Sequence, residues 1–377
     1  MCQISNSDNI ARDISSLFTY ICKMHSYQIS EFKEEDLKDV FFDSLREDYV
    51  SFDVWFRKKI AQQEKAYIYR DQDGIQAFLY IKNNEKEAVG DLTDAPRMKI
   101  GTIKICDSSK GNRLGEGALG IALWEWQKSD LDQIYLTVFR KHDSLIKLLK
   151  DFGFREGGTK ENELVLYKDK NNMTYDSSKA SFPYLGPSFS RGGYIPIDAE
   201  YHDSLFPYSE LKNVSSLAEA AVAASNGVTK IYIATPREKI DYVPGDIIFI
   251  YRISDAEAGK TYKSAVTSFC SLVSCIPIKE ENNKKMNLEK FLASVGNKSV
   301  LTEERLKELY RGRKNLYVLT MLYNGFFGCG NNVNHYTLNA NSLMWDYPYK
   351  VKLNRDEVIE LMKLGKKNVQ DITIDKS

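Results

Sequence analysis

At 377 residues the chain is long enough for two ordinary domains, each burying its own core. A composition of 43% hydrophobic and 28% charged residues, with 23 Tyr and 18 Phe, excludes a disordered chain and describes a folded, soluble one. Lys plus Arg and Asp plus Glu are both 52, so no global field draws the protein to nucleic acid or to an acidic membrane, and any polyanion must meet a local patch.

No apolar run is long enough to span a bilayer, and Asp8 and Asp13 stand where a signal peptide would be basic; a cytoplasmic protein with no membrane partner is expected. Cys2, Cys22, Cys106, Cys270, Cys275 and Cys329 are scattered without a CxxC pair, and His25, His142, His202 and His335 are far apart. Reduced, mostly buried thiols and no metal site are expected.

Residues 1–25 read as a helical extension, with Ile14, Leu17, Phe18 and Ile21 at helical spacing within Ile10 to Lys23. A short strand (Tyr27 to Phe32) precedes a helix announced by Glu34, Glu35 and Asp36, with Leu37, Val40, Phe41 and Leu45 on one face, and a second helix spans Phe52 to Gln63. Ala66 to Arg70 and Ile75 to Lys82 flank a Gly74-bearing turn as a hairpin, and Arg97 to Cys106 is a third strand. Ala118 to Gln127 is helical, Gln133 to Phe139 is a strand, Asp143 to Phe152 is an amphipathic helix ended by Gly153, and strands near Phe154 and at Leu164 to Tyr167 close the unit.

Lys168 to Gly193 is polar, carries Pro183 and Pro187 and lacks periodicity, so residues 171–195 read as an interdomain linker. Beyond it an Ala-rich helix (Leu217 to Ala224) leads into strand-like runs at Lys230 to Ala234, Asp246 to Tyr251, Ser264 to Val273 and Leu316 to Tyr323.

The chemistry-bearing segment follows the strand that ends in Ile103 and Ile105. Lys110, Gly111, Asn112, Arg113, Leu114, Gly115 and Glu116 form a polar, glycine-bearing turn that opens a helix also containing Gly117. Free backbone N–H groups at a positive helix end make a diphosphate cradle; glycine admits close approach, and Lys110 and Arg113 supply charge. Glu116 also suits the helix dipole.

This segment resembles motif A of the GNAT acetyltransferases, Arg/Gln-x-x-Gly-x-Gly/Ala, in either of two registers, Lys110 to Gly115 or Asn112 to Gly117. His142 through Phe154, with Gly153-Phe154, is similar to the same family's second cofactor-side helix. The resemblance covers residues 26–170 and implies an α+β fold, a mixed sheet flanked by helices, that binds acetyl-CoA as co-substrate through Ile103, Ile105 and the residues from Lys110 to Glu116.

Leu149 stands where many members keep the tyrosine that protonates the leaving thiolate. His142 is the nearest replacement, and Tyr135 and Tyr167 are further catalytic candidates. Each also has a plainer reading: an exposed helix start for His142, sheet-face packing for the tyrosines.

In the second half a Pro244-Gly245-Asp246 turn precedes an apolar strand, and another strand follows Tyr262. This pattern resembles the PUA-like superfamily, which includes ASCH and EVE domains, over about 196–353. It implies a β-barrel beside a nucleic-acid groove, within a unit spanning 196–377 that includes a C-terminal helix and tail; the Gly-x-Lys-x-x-Glu-x-Arg pattern of ASCH proteins is absent. Tyr251, Arg252 and Lys263 are the candidate RNA contacts, an aromatic platform beside basic groups. Arg305, Lys307, Arg311, Arg313 and Lys314 are interleaved with glutamates and read as a solvated helix face.

The expected function is acetyl-CoA-dependent N-acetylation of a primary amine, with an RNA-linked amine such as aminoacyl-tRNA as the concrete candidate. The competing expectation is a nucleic-acid-binding regulator that keeps a non-catalytic, acetyl-CoA-binding scaffold.

Overall fold

A computed structural model of the chain describes residues 27–109, 111–207, 209 and 224–373. The helix expected over Ile10 to Lys23, most of the one expected over Leu217 to Ala224, and Lys110 lie outside these residues.

The first unit begins with β1 (Gln28–Glu31), α1 (Glu34–Leu37), α2 (Asp43–Asp48) and α3 (Phe52–Ala61). The first expected helix is broken because the Asp39 carboxylate accepts the Phe41 N–H at 2.8 Å and caps a 3₁₀ turn, Val40–Phe42. The break lets Phe41 and Phe42 turn inward to join Phe32, Phe52, Phe56 and Phe78 in an aromatic cluster. Its rings meet mainly edge to face, as in the Phe32–Phe56 pair at 4.8 Å.

There follow β2 (Lys65–Asp71), β3 (Gly74–Glu85), β4 (Arg97–Ile105), α4 (Leu114–Lys128), β5 (Gln133–Phe139), α5 (Asp143–Asp151), β6 (Arg155–Lys160) and β7 (Glu163–Asp169). The seven strands form one sheet in the order β1-β2-β3-β4-β5-β7-β6, antiparallel throughout except for β4 and β5. This is the expected mixed sheet flanked by helices. Along β5, Ile134, Leu136 and Val138 enter the core under α4, whereas Tyr135 falls on the opposite face with Val89, Leu92 and Val165.

Helix α4 is apolar around its whole circumference, which requires cover on both sides. The sheet supplies one side and the second half of the chain the other. Trp124 Nε1 donates to the Asn324 carbonyl at 2.9 Å, and Ile195, Ile197, Leu319 and Tyr323 join the same core as Leu119, Ala122 and Trp126. Between the halves, residues 171–195 carry α6 (Ser178–Ser181) and bury Phe182 and Tyr184 in that core. The fully buried Lys168 amine donates to the carbonyls of Phe152 and Phe182 at 2.6 and 2.5 Å.

The second unit contains β8 (Arg191–Asp198), α7 (Ala199–Leu205), β9 (Thr229–Ala234), β10 (Ile247–Ile253), α8 (Lys260–Lys263), β11 (Ala265–Glu280) and β12 (Asn283–Lys284). It continues with α9 (Leu288–Val295), α10 (Glu303–Gly312), β13 (Leu316–Phe326), β14 (Val333–Asn334), α11 (His335–Ala340), β15 (Lys352–Asn354), α12 (Arg355–Leu364) and α13 (Val369–Ile372). The sheet runs β15-β8-β10-β11-β13-β9, with β12 and β14 paired to β11 and a parallel β8–β10 contact.

The β-barrel expected here is therefore corrected to an open mixed sheet, since among the described residues its two edge strands, β15 and β9, are not paired with each other. Helices supply the cover that closure would have given. Phe291, Leu306, Leu309 and Tyr310 of α9 and α10 pack on Ile231 and Ile233 of β9, and Val358, Leu361 and Met362 of α12 pack with Leu353 of β15. Among the described residues no helix is long and apolar enough to cross a membrane.

Candidate functional site

Strands β4 and β5 pair only at Met98–Ile134 and Lys99–Tyr135, then part. At the parting point β4 is bulged: Tyr80 pairs with Thr102 and Ile81 with Ile100, leaving Gly101 as the extra residue outside the ladder. A Cβ at Gly101 would lie 2.7 Å from Tyr80 Cδ1, so the bulge depends on glycine. The two strands thus open a wedge with Gly101 at its inner corner.

Beyond the wedge, Gly111 turns the chain at φ +95° and Arg113 enters α4 in the left-handed region at φ +58°. The first helical bond runs from Gly117 N–H to the Arg113 carbonyl, so the amides of Leu114, Gly115 and Glu116 have no acceptor within the helix. They sit at the positive end of a fifteen-residue dipole.

The glycines of this turn serve two different purposes. A Cβ on Gly115 would meet Ile105 at 3.6 Å and Leu148 at 3.8 Å, ordinary contacts between β4 and α5, and one on Gly111 would meet nothing within 4 Å. A Cβ on Gly117 would fall 2.4 Å from the Asn226 carbonyl, and one on Gly120 would fall 2.3 Å from Val228. Gly111 and Gly115 border the opening; Gly117 and Gly120 admit the second unit. Gly115 is common to both registers of the motif; in the register that starts at Lys110, Arg113 takes the place of the middle glycine.

Arg113 does not reach into the opening. Its Nη2 donates to Glu116 Oε2 at 2.9 Å and to the Thr229 carbonyl, and its Nη1 is buried without a partner. The Thr229 N–H donates to Glu116 Oε1 at 2.6 Å. Burial alone would raise the Glu116 carboxyl, but Arg113 and the Thr229 bonds hold it below the usual carboxylate range. The Asn112 carbonyl accepts from Asn226 Nδ2 at 3.0 Å, and the Leu114 carbonyl from Tyr27 Oη at 2.7 Å. The helix start is thereby pinned from outside the wedge, with its amides left at the opening.

Of the three catalytic candidates, His142 lies at the N-cap of α5, exposed, with Nε2 3.7 Å from Asp48 Oδ2. Asp48 also pairs with Lys141. Tyr135 and Tyr167 face one another across β5 and β7, against Val89 and Leu92 and away from the α4 face. Burial pushes the Tyr135 hydroxyl up to about 12. Leu149 is fully buried in the core, so its position offers no proton.

Sequence reasoning missed Asp48, Tyr49 and Glu163. Tyr49 Oη donates to Glu163 Oε1 at 2.5 Å and its ring lies 5.4 Å from that of Phe139, at the end of β5. One local signal existed for Asp48: an aspartate in the last turn of a helix opposes the dipole and needs a partner elsewhere.

In the second unit Tyr251 lines a cleft and Lys263 is exposed on α8. Arg252 turns inward, forming a two-pronged bond to Asp203 with both contacts at 2.9 Å. His202 joins this buried network, bonded to Asp203 Oδ1 and Thr267 Oγ1 at 2.7 Å each. Arg305 and Lys307 pair with Glu308 and Glu303 along α10.

No family model matches the chain, and no curated protein matches it. Solved structures similar to part of it include Arabidopsis thaliana Naa50 in complex with a bisubstrate analogue, at 21% identity over 38% of this chain and 99% of that one, with a TM-score of 0.27. Ard1 from Thermoplasma volcanium is similar at 12% identity over 38% and 97% of the two chains, TM-score 0.30. PaiA N-acetyltransferase from Thermoplasma acidophilum, in complex with coenzyme A, is similar at 15% identity over 38% and 99%, TM-score 0.28.

Proposed function

We propose that residues 26–170 are a GNAT-type unit that binds acetyl-CoA and transfers its acetyl group to a primary amine. One observation carries the reading: a strand bulged at Gly101 parts from its parallel neighbour and leads into a helix whose first amides have no acceptor within the helix. The amides of Leu114, Gly115 and Glu116 suit the diphosphate, with Lys110 as a further charge, and the wedge beside Ile103 and Ile105 suits an extended pantetheine arm. The backbone at Gly101 is the donor set for the thioester oxygen, and His142 takes the proton of the attacking amine as the thiolate leaves.

The second unit, residues 196–377, selects an acceptor linked to RNA, such as an aminoacyl-tRNA. A PUA-like kinship for it rests on the Pro244-Gly245-Asp246 turn and its following strand.

A second reading is favoured by one feature, the complete burial of Leu149 where a proton donor is wanted. In it the first unit binds acetyl-CoA without turnover and the chain acts as a nucleic-acid-binding regulator. Calorimetry with acetyl-CoA, followed by a thiol-release assay over amines and aminoacyl-tRNA, tests both. Binding with CoA release supports the enzyme, binding without release supports the regulator, and no binding overturns both.

A further inference from the structure

The second unit holds a cleft of ≈470 Å³ with five aromatic rings in its lining. Tyr232, Tyr251, His335, Tyr347 and Tyr349 contribute to it from β9, β10, the start of α11 and the chain before β15. Tyr347 and Tyr349 have centroids 5.5 Å apart, and Tyr251 and His335 5.9 Å.

Three of the four tyrosine hydroxyls are already bonded. Tyr349 Oη donates to Tyr232 Oη at 3.3 Å, Tyr232 Oη donates to the Pro196 carbonyl at 2.8 Å, and Tyr251 Oη meets His335 Nδ1 at 3.1 Å. What the walls offer a ligand is ring surface together with Asp198, Thr235, Lys260, Thr261 and Ser264 as polar points.

The mouth adds an independent observation. Helices α8 and α11, which contribute Lys260, Thr261 and His335 to the cleft, also hold Tyr262 and Tyr336 stacked on each other at 5.3 Å and 25°. These two rings are 63% and 54% exposed, a stacked platform that no core explains. Lys260 and Lys263 are exposed beside them and form no ion pair with the described residues.

Charge decides between two ligand classes. An aromatic box with a carboxylate suits an alkylated ammonium, but the Lys260 amine at the same mouth repels a cation and attracts a phosphate. We propose that the cleft takes an unpaired nucleobase, with the Tyr262–Tyr336 pair stacking its neighbour and Lys260 and Lys263 holding the phosphate between them. The inference deepens the RNA-linked part of the reading above and is independent of acetyl transfer. The same chemistry serves a base within a single strand or a free nucleotide.

The test titrates the full chain with a labelled single-stranded RNA of about eight nucleotides, within the usual site size of such proteins, and separately with AMP. Tyr262→Ala with Tyr336→Ala is expected to weaken RNA binding about tenfold or more, the usual loss on removing a base-stacking ring. Lys260→Ala with Lys263→Ala is expected to weaken it and flatten its salt dependence. Tyr347→Ala empties part of the cleft wall, and Tyr347→Phe retains the ring and the affinity. RNA binding without AMP binding assigns the cleft to a strand; AMP binding that depends on Tyr347 but not on Tyr262 and Tyr336 assigns it to a free nucleotide.

The inference is overturned if the native chain binds neither probe, if RNA binding survives all of these variants, or if tetramethylammonium binds where RNA does not. Acetyl-CoA titration of the same samples separates the two halves of the reading. A chain that binds acetyl-CoA but neither nucleotide probe overturns this inference alone, and one that binds RNA but not acetyl-CoA overturns only the acetyl-transfer part.

Discussion

The guanidinium of Arg113 lies against the Glu116 carboxylate, Nη2 to Oε2 at 2.9 Å, and Thr229 closes the pair by donating its N–H to Glu116 and accepting from Arg113. Both side chains are nearly buried, at 9% and 15% exposure. A residue at the start of α4 is thus committed to the joint between the two units.

Removing one partner of such a pair leaves the other charge buried and uncompensated. Arg113→Ala is expected to lower stability by about 3 kcal/mol, read from the urea midpoint, because Glu116 then lacks its counter-charge. Were Arg113 a phosphate ligand, the variant would keep its stability and lose acetyl-CoA affinity, and that outcome would reverse the assignment.

The glycines of the same helix separate fold from ligand. Gly117→Ala and Gly120→Ala drive a methyl to within 2.4 Å of the Asn226 carbonyl and 2.3 Å of Val228, and each is expected to cost about 1–3 kcal/mol as overpacking. Gly115→Ala meets only ordinary contacts at 3.6 and 3.8 Å, so its stability is expected to hold while its acetyl-CoA affinity falls. Thermal melts with and without acetyl-CoA check both halves; a stable Gly117→Ala protein would sink the joint as described.

Much of the first sheet was legible because period is a local property. The run of β-formers along Gln133–Phe139 and the glycine stop at Gly153 are read from neighbours in sequence, and the structure keeps β5 and the end of α5 there. The helix over Ala118 to Gln127 was equally legible, yet nothing local says which segment covers its second side. Arg113 and Thr229 are 116 positions apart, and only the packed fold brings them together. For the same reason Arg252 reads in sequence as a basic group beside an aromatic, whereas the fold spends it on Asp203. The barrel expectation failed because strand patterning does not distinguish closure of a sheet from helices laid along its edges.

Asp48 and His142 make the case for a second such long-range pair, this time at the wedge. If His142 accepts the amine proton, His142→Ala is expected to lower kcat about a hundredfold or more, the usual share of a general base, with the KM for acetyl-CoA little changed. Asp48→Asn is expected to lower kcat by less, since the imidazole remains. Partial rescue of His142→Ala by added imidazole distinguishes a proton acceptor from a packing residue. Equal rates in the variant and the parent would remove His142 from the mechanism.

The Asp203–His202–Thr267 network gives the second unit a pH dependence of fixed sign. His202 is fully buried, and desolvation pushes its imidazole below the usual value although the Asp203 carboxylate opposes that shift. The unfolded chain then takes up a proton near pH 6.5 that the folded chain refuses, so stability is present above that pH and is lost on acidification towards the lower folded value. The slope reaches about 1.4 kcal/mol per pH unit in that window. His335 is also shifted down by burial, and a His335→Gln control removes its share. Melting temperatures followed from pH 7.5 to 5 are expected to fall in the parent and in His335→Gln and to stay nearly level in His202→Gln. A parallel fall in His202→Gln would assign the acid sensitivity to groups other than this network.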